Sequence, residues 1–260
     1  QRPSGSSDPY ALRRAGNGVL LILWERDWRL DLGELLRRGA THTEGWFEQF
    51  TVDAEGLAAE IGEFFRQRLV SLLEEEGRPL DLVQAVAGPG VDQARVLADP
   101  ADARRRAALL SDLRDQGQLE AVQAVVQRAT RLAAKGNLPT TELSAAQVVD
   151  PALFEKPSEA AMREVLLVLA QISHRCLAEP VALNPNSAAA KEQAAMRQLN
   201  YARLARELAD SAPTLAAFFD GPDSVLVMAE DPDVRRNRLN LLGVLRNQAA
   251  VLADFEQIRG

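Results

Sequence analysis

Apolar residues recur at every third or fourth position along most of the chain, and few runs alternate as strands do. The segment from Asp53 to Glu76 is the clearest case, because its apolar side chains fall on one side of a helix and Gly77 follows as an end signal. Aromatic residues make up only 5% of the chain. This pattern and composition predict an all-α protein.

Helix starts are marked by residues that cap the first turn. Asp8-Pro9 and Asp231-Pro232 each combine a side-chain acceptor with a proline at the first helical position. Ser158 is predicted to cap a long apolar helix, and Pro213 to open another. These signals divide the second half of the chain into separate helices.

The length of 260 residues fits one large domain or two modest ones. The stretch from Asn137 to Asp150 is looser and more polar than its neighbours, which predicts a boundary between residues 1–150 and 151–260. Residues 179–203 contain a Pro/Asn/Ala-rich stretch that is typical of an insertion or an exposed loop.

Several functional classes receive no support from the residues present. The single cysteine, Cys176, lies among apolar residues and excludes a disulfide scaffold. The two histidines, His42 and His174, belong to no metal or catalytic cluster, and His174 is predicted to be a structural histidine within an apolar helix. No apolar run approaches the length of a membrane span. The net charge of −7 disfavours a protein that coats nucleic acid by bulk electrostatics.

One local stretch departs from the acidic average. Residues 121–141 contain no Asp or Glu, yet Arg128, Arg131 and Lys135 follow one another at spacings of three and four, which places them on one face of a helix. Such a face suits RNA phosphates and bases. The competing interpretation is that these cations pair with acids on neighbouring helices, and both interpretations stay open.

A second basic stretch lies in the last predicted helix. Its arginines are Arg235, Arg236, Arg238 and Arg246, with Asp233 as the one acid between residues 232 and 247. This imbalance favours an anionic partner, although a solvated helix face would show the same pattern. Asn237 shares the side of the leucines, so we expect it to face inward and bond to the backbone.

Several segments of the chain resemble segments of a known protein family. The sequence FFDGPDSVLVMAEDPDVRRNRLNLLGVLRNQAAVLADF is similar to the C-terminal signature of the β subunit of bacterial-type glycyl-tRNA synthetase. The segments SSDPYALRRAGNGVL, VQRATRLAAKG and DPALFEKPSE resemble other parts of that subunit in the same order. The insertion Gly221–Ser224 indicates the cyanobacterial or plastid branch.

This resemblance implies a role in a cytoplasmic bacterial, or plastid, ligase of two α and two β subunits. The α subunit would use ATP to activate glycine, and the β subunit would recognise tRNA(Gly). Residues 1–150 would be the end of an HD-like region with a helical linker, and residues 151–260 a DALR-like helical anticodon-binding domain. The resemblance implies no catalytic centre, metal or cofactor in this part, and no membrane partner.

Together, the basic stretches and the resemblance predict tRNA contacts. The candidate residues are Arg128, Arg131, Lys135, Arg235, Arg236, Arg238 and Arg246. Arg235 and Arg236 are the better candidates in the last helix, because Arg238 and Arg246 match the family pattern and are expected to be partly structural. The alternative is a scaffold that holds the β subunit to the α subunit with little direct contact to tRNA.

Overall fold

The computed structural model describes residues 8, 10–43, 53–178 and 187–260, and within these ranges it contains helices and no strand. The helices are α1 (Leu12–Arg26), α2 (Leu32–Thr43), α3 (Ala54–Glu75), α4 (Leu80–Ala87), α5 (Gln93–Ala98), α6 (Pro100–Asp115), α7 (Leu119–Ala133), α8 (Ala145–Val148), α9 (Pro157–Leu177), α10 (Ala188–Ala217) and α11 (Pro232–Ala250), with a 3₁₀ turn at Pro151–Leu153. The all-α prediction is confirmed.

The chain divides into two compact units. Unit 1 comprises residues 1–111 and 183–191, and unit 2 comprises residues 112–182 and 192–260. The predicted boundary near residue 150 does not coincide with this division by packing, because α7 lies in unit 2 and packs against α11. The assignment of an HD-like region and an anticodon-binding domain to the two sides of residue 150 stays a prediction.

In unit 1, α3 lies at the centre and packs against α1, α2, α4 and α5. Asp53 caps α3 by accepting a hydrogen bond from the backbone N–H of Gly56, and Gly77 follows the helix with a φ of 80°. A side chain at Gly16 would place its Cβ 2.9 Å from the ring of Phe64. The absence of a side chain there therefore lets α1 approach α3 closely. Gly18, by contrast, has open space around the position of a Cβ.

In unit 2, α11 lies at the centre and packs against α7, α8, α9 and the 3₁₀ turn. Its buried leucines lie on a helix that packs against α9, and α10 also has a buried apolar side. Asp231 accepts hydrogen bonds from the N–H groups of Asp233 and Val234, and Pro232 is the first residue of α11. The predicted start of α11 is confirmed.

The caps predicted at the other helix starts have mixed outcomes. Asp8 accepts hydrogen bonds from the N–H groups of Leu12 and Arg13, while Pro9 lies outside the described residues. Ser158 does not cap α9, because the helix begins one residue earlier and the Ser158 hydroxyl donates to the carbonyl of Asp223. Pro213 does not open a helix but lies inside α10.

Two further expectations concern single side chains of α9. Cys176 is buried, as predicted. His174 is exposed to solvent, so the prediction of a structural histidine is wrong. The error arises because Ser173 and Cys176, on the same helix, form the buried side and leave His174 on the opposite side.

Candidate nucleic-acid interface

The three cations of the α7 stretch lie on its solvent side. Arg128, Arg131 and Lys135 are all exposed. The opposite side of the helix is buried in unit 2 and consists of Leu119, Val122, Val125, Val126, Ala129 and Ala133. Helical periodicity therefore brings the three cations together as the sequence predicts, because the apolar side is committed to the core.

Arg131 and Lys135 have no acidic partner among the described residues. Both lie in or just after the last turn of α7, where the C-terminal end of the helix dipole favours positive charge. The interpretation that acids on neighbouring helices neutralise this face therefore does not apply to these two residues. Their charges remain available to an external anion.

Arg128 differs from its two neighbours because it is already paired. Its Nη1 donates to both carboxylate oxygens of Asp220 at 2.9 Å, and its guanidinium carbon lies 4.6 Å from the centre of the Phe219 ring. The side chains of Arg128 and Asp220 are 48% and 68% exposed. At this exposure the ion pair is weak, and Arg128 remains accessible while its orientation is held.

Arg238 of α11 is a core residue, with its side chain only 3% exposed. Its Nε donates to Glu159 at 2.8 Å, one terminal nitrogen donates to Glu155 at 2.7 Å, and the other donates to the carbonyl of Leu226 at 3.1 Å. All its nitrogens are thus engaged inside unit 2. This burial contradicts the predicted contact between Arg238 and tRNA.

The pair of Arg238 and Glu159 has shifted pKa values. Burial alone would raise the pKa of Glu159 and lower that of Arg238. The hydrogen bonds between them, joined by the backbone N–H groups of Glu155 and Lys156 on Glu159, outweigh burial. The pKa of Glu159 therefore lies below its ordinary value and that of Arg238 above it, so both groups remain charged at neutral pH.

Arg246 is half-buried and also bonds internally. Its Nε donates to the side-chain oxygen of Asn247, and a terminal nitrogen donates to the carbonyl of Leu138 at 3.2 Å. Burial lowers the pKa of the guanidinium. These contacts assign Arg246 a structural role, which the family pattern anticipated.

Arg235 and Arg236 lie at the start of α11 and have different surroundings. Arg235 is half-buried and donates to the carbonyl of Ala229 at 3.0 Å. Arg236 is exposed and pairs with Asp233 one turn earlier at 2.7 Å. Of these two arginines, only Arg236 is as exposed as a phosphate contact requires, and Asp233 partly neutralises its charge.

Most amide side chains of α11 have a structural role that the sequence did not predict. The side chain of Asn240 donates to the carbonyl of Val148, that of Asn247 to those of Pro139 and Glu142, and that of Gln248 to those of Leu143 and Leu166. Asn237 exchanges two hydrogen bonds with the backbone of Asp150, as predicted. The amides thereby satisfy backbone groups of the segment 138–150, and Gln248 also bonds to α9 through the carbonyl of Leu166.

A signal for this role was present in the sequence. Asn237 lies on the leucine side of α11, and Gln248 follows Leu241 and Leu245 at helical spacing. An amide inside an apolar stripe must find hydrogen-bond partners, and a neighbouring segment with little regular structure needs them. The partners themselves come from residues about a hundred positions earlier, which no local pattern identifies.

Glutamines of α7 hold the end of the described chain. The side chain of Gln123 donates to the carbonyl of Ile258, and that of Gln127 donates to the carbonyls of Phe255 and Ile258. Gln127 lies four residues before Arg131, so these contacts border the exposed cations on α7.

Other kinds of site find no support in the described ranges. No group of three or more His, Cys, Asp or Glu side chains there is arranged to hold a metal ion. Among the described helices, none combines the length and apolar character required to cross a bilayer.

Comparison with known proteins supports the family resemblance. A family model described as glycyl-tRNA synthetase beta subunit matches residues 1–88. The glycine–tRNA ligase beta subunit of Picosynechococcus sp. is 45% identical over 258 residues, which cover 98% of this chain and 33% of that protein. The corresponding subunits of Acaryochloris marina and Syntrophotalea carbinolica are 43% and 30% identical, over 98% of this chain and 33% and 32% of theirs.

The chain spans about a third of the length of the curated relatives it matches. Cyanobacterial proteins are among the relatives with 40–45% identity, in agreement with the branch that Gly221–Ser224 indicates. The similarity extends through both units, because it covers 98% of the chain. The chain belongs to the glycyl-tRNA synthetase β-subunit family.

Proposed function

We propose that this chain is a tRNA-binding part of a glycine–tRNA ligase, in which α7 of unit 2 contacts the RNA backbone. The observation that carries the proposal is the pair of exposed cations Arg131 and Lys135, which have no acidic partner among the described residues of a chain with a net charge of −7. Cations that remain unpaired in an acidic protein are suited to an anionic ligand.

The proposed mechanism is positioning. Contacts between Arg131 or Lys135 and phosphates would orient tRNA(Gly) without reading its sequence. The chemistry that joins glycine to tRNA with ATP would then take place in an α subunit, within an assembly of two α and two β subunits. Holding a substrate in a fixed orientation lowers the entropic cost of the reaction.

Binding of a tRNA(Gly) transcript to the 260-residue chain, measured by fluorescence anisotropy across salt concentrations, tests the proposal. In the double variant Arg131→Gln/Lys135→Gln, we expect weaker binding and a log–log salt slope that is shallower by roughly 0.7–0.9 for each phosphate that the protein no longer neutralises. The variant Arg38→Gln removes an exposed charge from α2 in unit 1 and serves as the control. Unchanged affinity and slope in the double variant would sink the proposal.

A second candidate function has an observation in unit 1. Leu12, Ala15, Val19 and Ile22 recur at spacings of three and four on α1, and all four are exposed. An exposed apolar stripe at this spacing is typical of a helix that packs against another protein surface. We infer that this stripe contacts the α subunit implied by the name of the relatives, as the scaffold alternative requires.

A pull-down with a purified α subunit distinguishes this second function from RNA binding. Ile22→Glu places a charge on the stripe and is expected to abolish co-purification, while Arg14→Glu places the same charge at an exposed position of α1 outside the stripe and retains it. Failure of the unsubstituted chain to retain the α subunit would count against the scaffold function and leave RNA binding untouched.

A further inference from the structure

Arg128 is held at the outer end of a stack of side chains that begins in the core. Phe218 is fully buried, and its ring meets that of Phe219 edge to face, with 5.3 Å between the ring centres. The Phe219 ring in turn supports the guanidinium of Arg128, whose carbon lies 4.6 Å from the ring centre. Each member of this series is more exposed than the previous one.

Asp220 completes the arrangement from a second direction. Both of its carboxylate oxygens accept hydrogen bonds from Nη1 of Arg128. The guanidinium is therefore restrained by an aromatic ring and by a carboxylate, while about half of the side chain stays exposed. A long side chain that is already ordered gives up less conformational entropy when a ligand binds to it.

The charge of Arg128 is balanced locally, unlike that of its neighbours. Arg131 and Lys135 carry uncompensated charge on the same side of α7, whereas Asp220 offsets that of Arg128. A neutralised guanidinium is a poor counterion for phosphate, but its planar surface still stacks on nucleobases. The two kinds of cation on α7 are thus suited to two different parts of an RNA.

We propose that Arg128 provides a stacking surface for an unpaired nucleobase, while Arg131 and Lys135 contact the adjacent phosphates. This inference rests on the RNA-binding function proposed above and adds which chemical group of the RNA meets which residue. It requires an RNA with an unstacked base, such as a loop, because a base within a duplex has no free face.

Arginine-to-lysine substitutions separate stacking from charge. Arg128→Lys keeps the charge and the means to pair with Asp220 but removes the planar guanidinium, and Arg131→Lys is the matched control one turn along. The probes are a tRNA(Gly) transcript and a fully paired RNA duplex of similar length. Thermal unfolding of both variants verifies that the fold is retained.

We expect Arg128→Lys to weaken binding of the tRNA transcript by roughly 5-fold or more, the range for removal of one stacking partner of a base, with an unchanged salt slope and unchanged duplex binding. Arg131→Lys is expected to stay within about two-fold on both probes, since a phosphate contact needs charge rather than a plane. This combination of results supports the inference.

Other outcomes overturn it in distinguishable ways. Full tRNA affinity in Arg128→Lys, together with abolished binding in Arg131→Gln/Lys135→Gln, refutes stacking and leaves the proposed function intact. Equal weakening on tRNA and duplex in Arg128→Lys refutes stacking on an unpaired base, because the duplex offers no free base face. If the double variant also binds tRNA normally, the proposed function itself fails, and this inference fails with it.

Discussion

Helices α7 and α11 carry similar sets of cations but use them in different ways. On α7, Arg131 and Lys135 face solvent without acidic partners among the described residues. On α11, Arg238 is buried between two glutamates and Arg246 bonds to the backbone of the segment 138–150. A run of arginines on a helix therefore indicates a ligand surface in one case and an internal framework in the other.

The difference follows from the position of each helix in unit 2. α7 has one buried side, so its remaining side meets solvent. α11 packs against α7, α8, α9 and the 3₁₀ turn, so most of its circumference is covered. A polar residue on a surrounded helix must bond to its neighbours, since a buried unpaired group is costly.

The largest effect is expected from Arg238→Met. The substitution leaves the carboxylate of Glu159 buried without its cationic partner, which costs about 3–5 kcal/mol of unfolding free energy. Urea denaturation measures this decrease. The double variant Arg238→Met/Glu159→Gln is expected to recover part of it, because no buried unpaired charge then remains and Glu155 is exposed to solvent. Near-normal stability of Arg238→Met would show that α11 is not an internal framework.

Asn247→Ala tests the amide contacts of α11. The side chain donates to the carbonyls of Pro139 and Glu142, and its removal takes a side-chain donor from both, leaving Pro139 with only the N–H of Glu142. We expect a decrease of about 2 kcal/mol in unfolding free energy, measured by urea denaturation. Asn137→Ala, at an exposed position, is the matched control and should leave the stability unchanged. Equal effects of the two substitutions would contradict the framework role.

The lowered pKa of Glu159 predicts a dependence of stability on pH. The pKa of Glu159 in the folded state lies below the ordinary value of 4.5, so the unfolded state binds more protons in acid. The contribution of Glu159 to stability is present above about pH 4.5 and is lost as the pH falls through the folded pKa. Urea midpoints between pH 3 and 7 measure it.

Glu159→Gln is expected to flatten this dependence. The difference in slope between the two proteins is at most about 1.4 kcal/mol per pH unit, the value for one proton. Other carboxyl groups titrate in both proteins and cancel in the comparison. Identical slopes would mean that Glu159 is not held ionised by Arg238 in the folded state.

The smallest effects are expected at the exposed cations of both helices. Arg131→Ala and Arg236→Ala remove side chains that no buried group depends on, so unfolding free energies should change by less than about 0.5 kcal/mol. Thermal and urea unfolding verify this. A clearly larger decrease at Arg131 would place α7 in the same structural class as α11 and remove the contrast between them.

Much of the fold followed from local pattern. The start of α11 was predicted at Asp231, because an acceptor side chain before an apolar-periodic run satisfies the free N–H groups of a first turn. The amphipathic pattern of α3 was predicted to begin at Asp53, which is the residue that caps this helix. The same kind of signal gave wrong helix starts at Ser158 and Pro213. Ser158 instead bonds to the carbonyl of Asp223, and Pro213 is accommodated within α10.

The candidate site was predicted in part. The exposed face of Arg128, Arg131 and Lys135 was visible because helical spacing and the absence of nearby acids in the sequence are both local properties. The pairing of Arg128 with Asp220, and that of Arg238 with Glu159, joins residues about 80 to 90 positions apart. Such contacts depend on how the helices pack, which periodicity alone does not specify.

By itself, the sequence determined the all-α class, the face of α7 and the family of the chain, since periodicity, charge and motifs are written along the chain. Only the tertiary structure decided which cations are free. Burial raises the free-energy cost of an unpaired charge or polar group, so the buried arginines and amides of the surrounded helix α11 bond to groups inside unit 2. α7 has one side in solvent, and its cations remain available to a ligand.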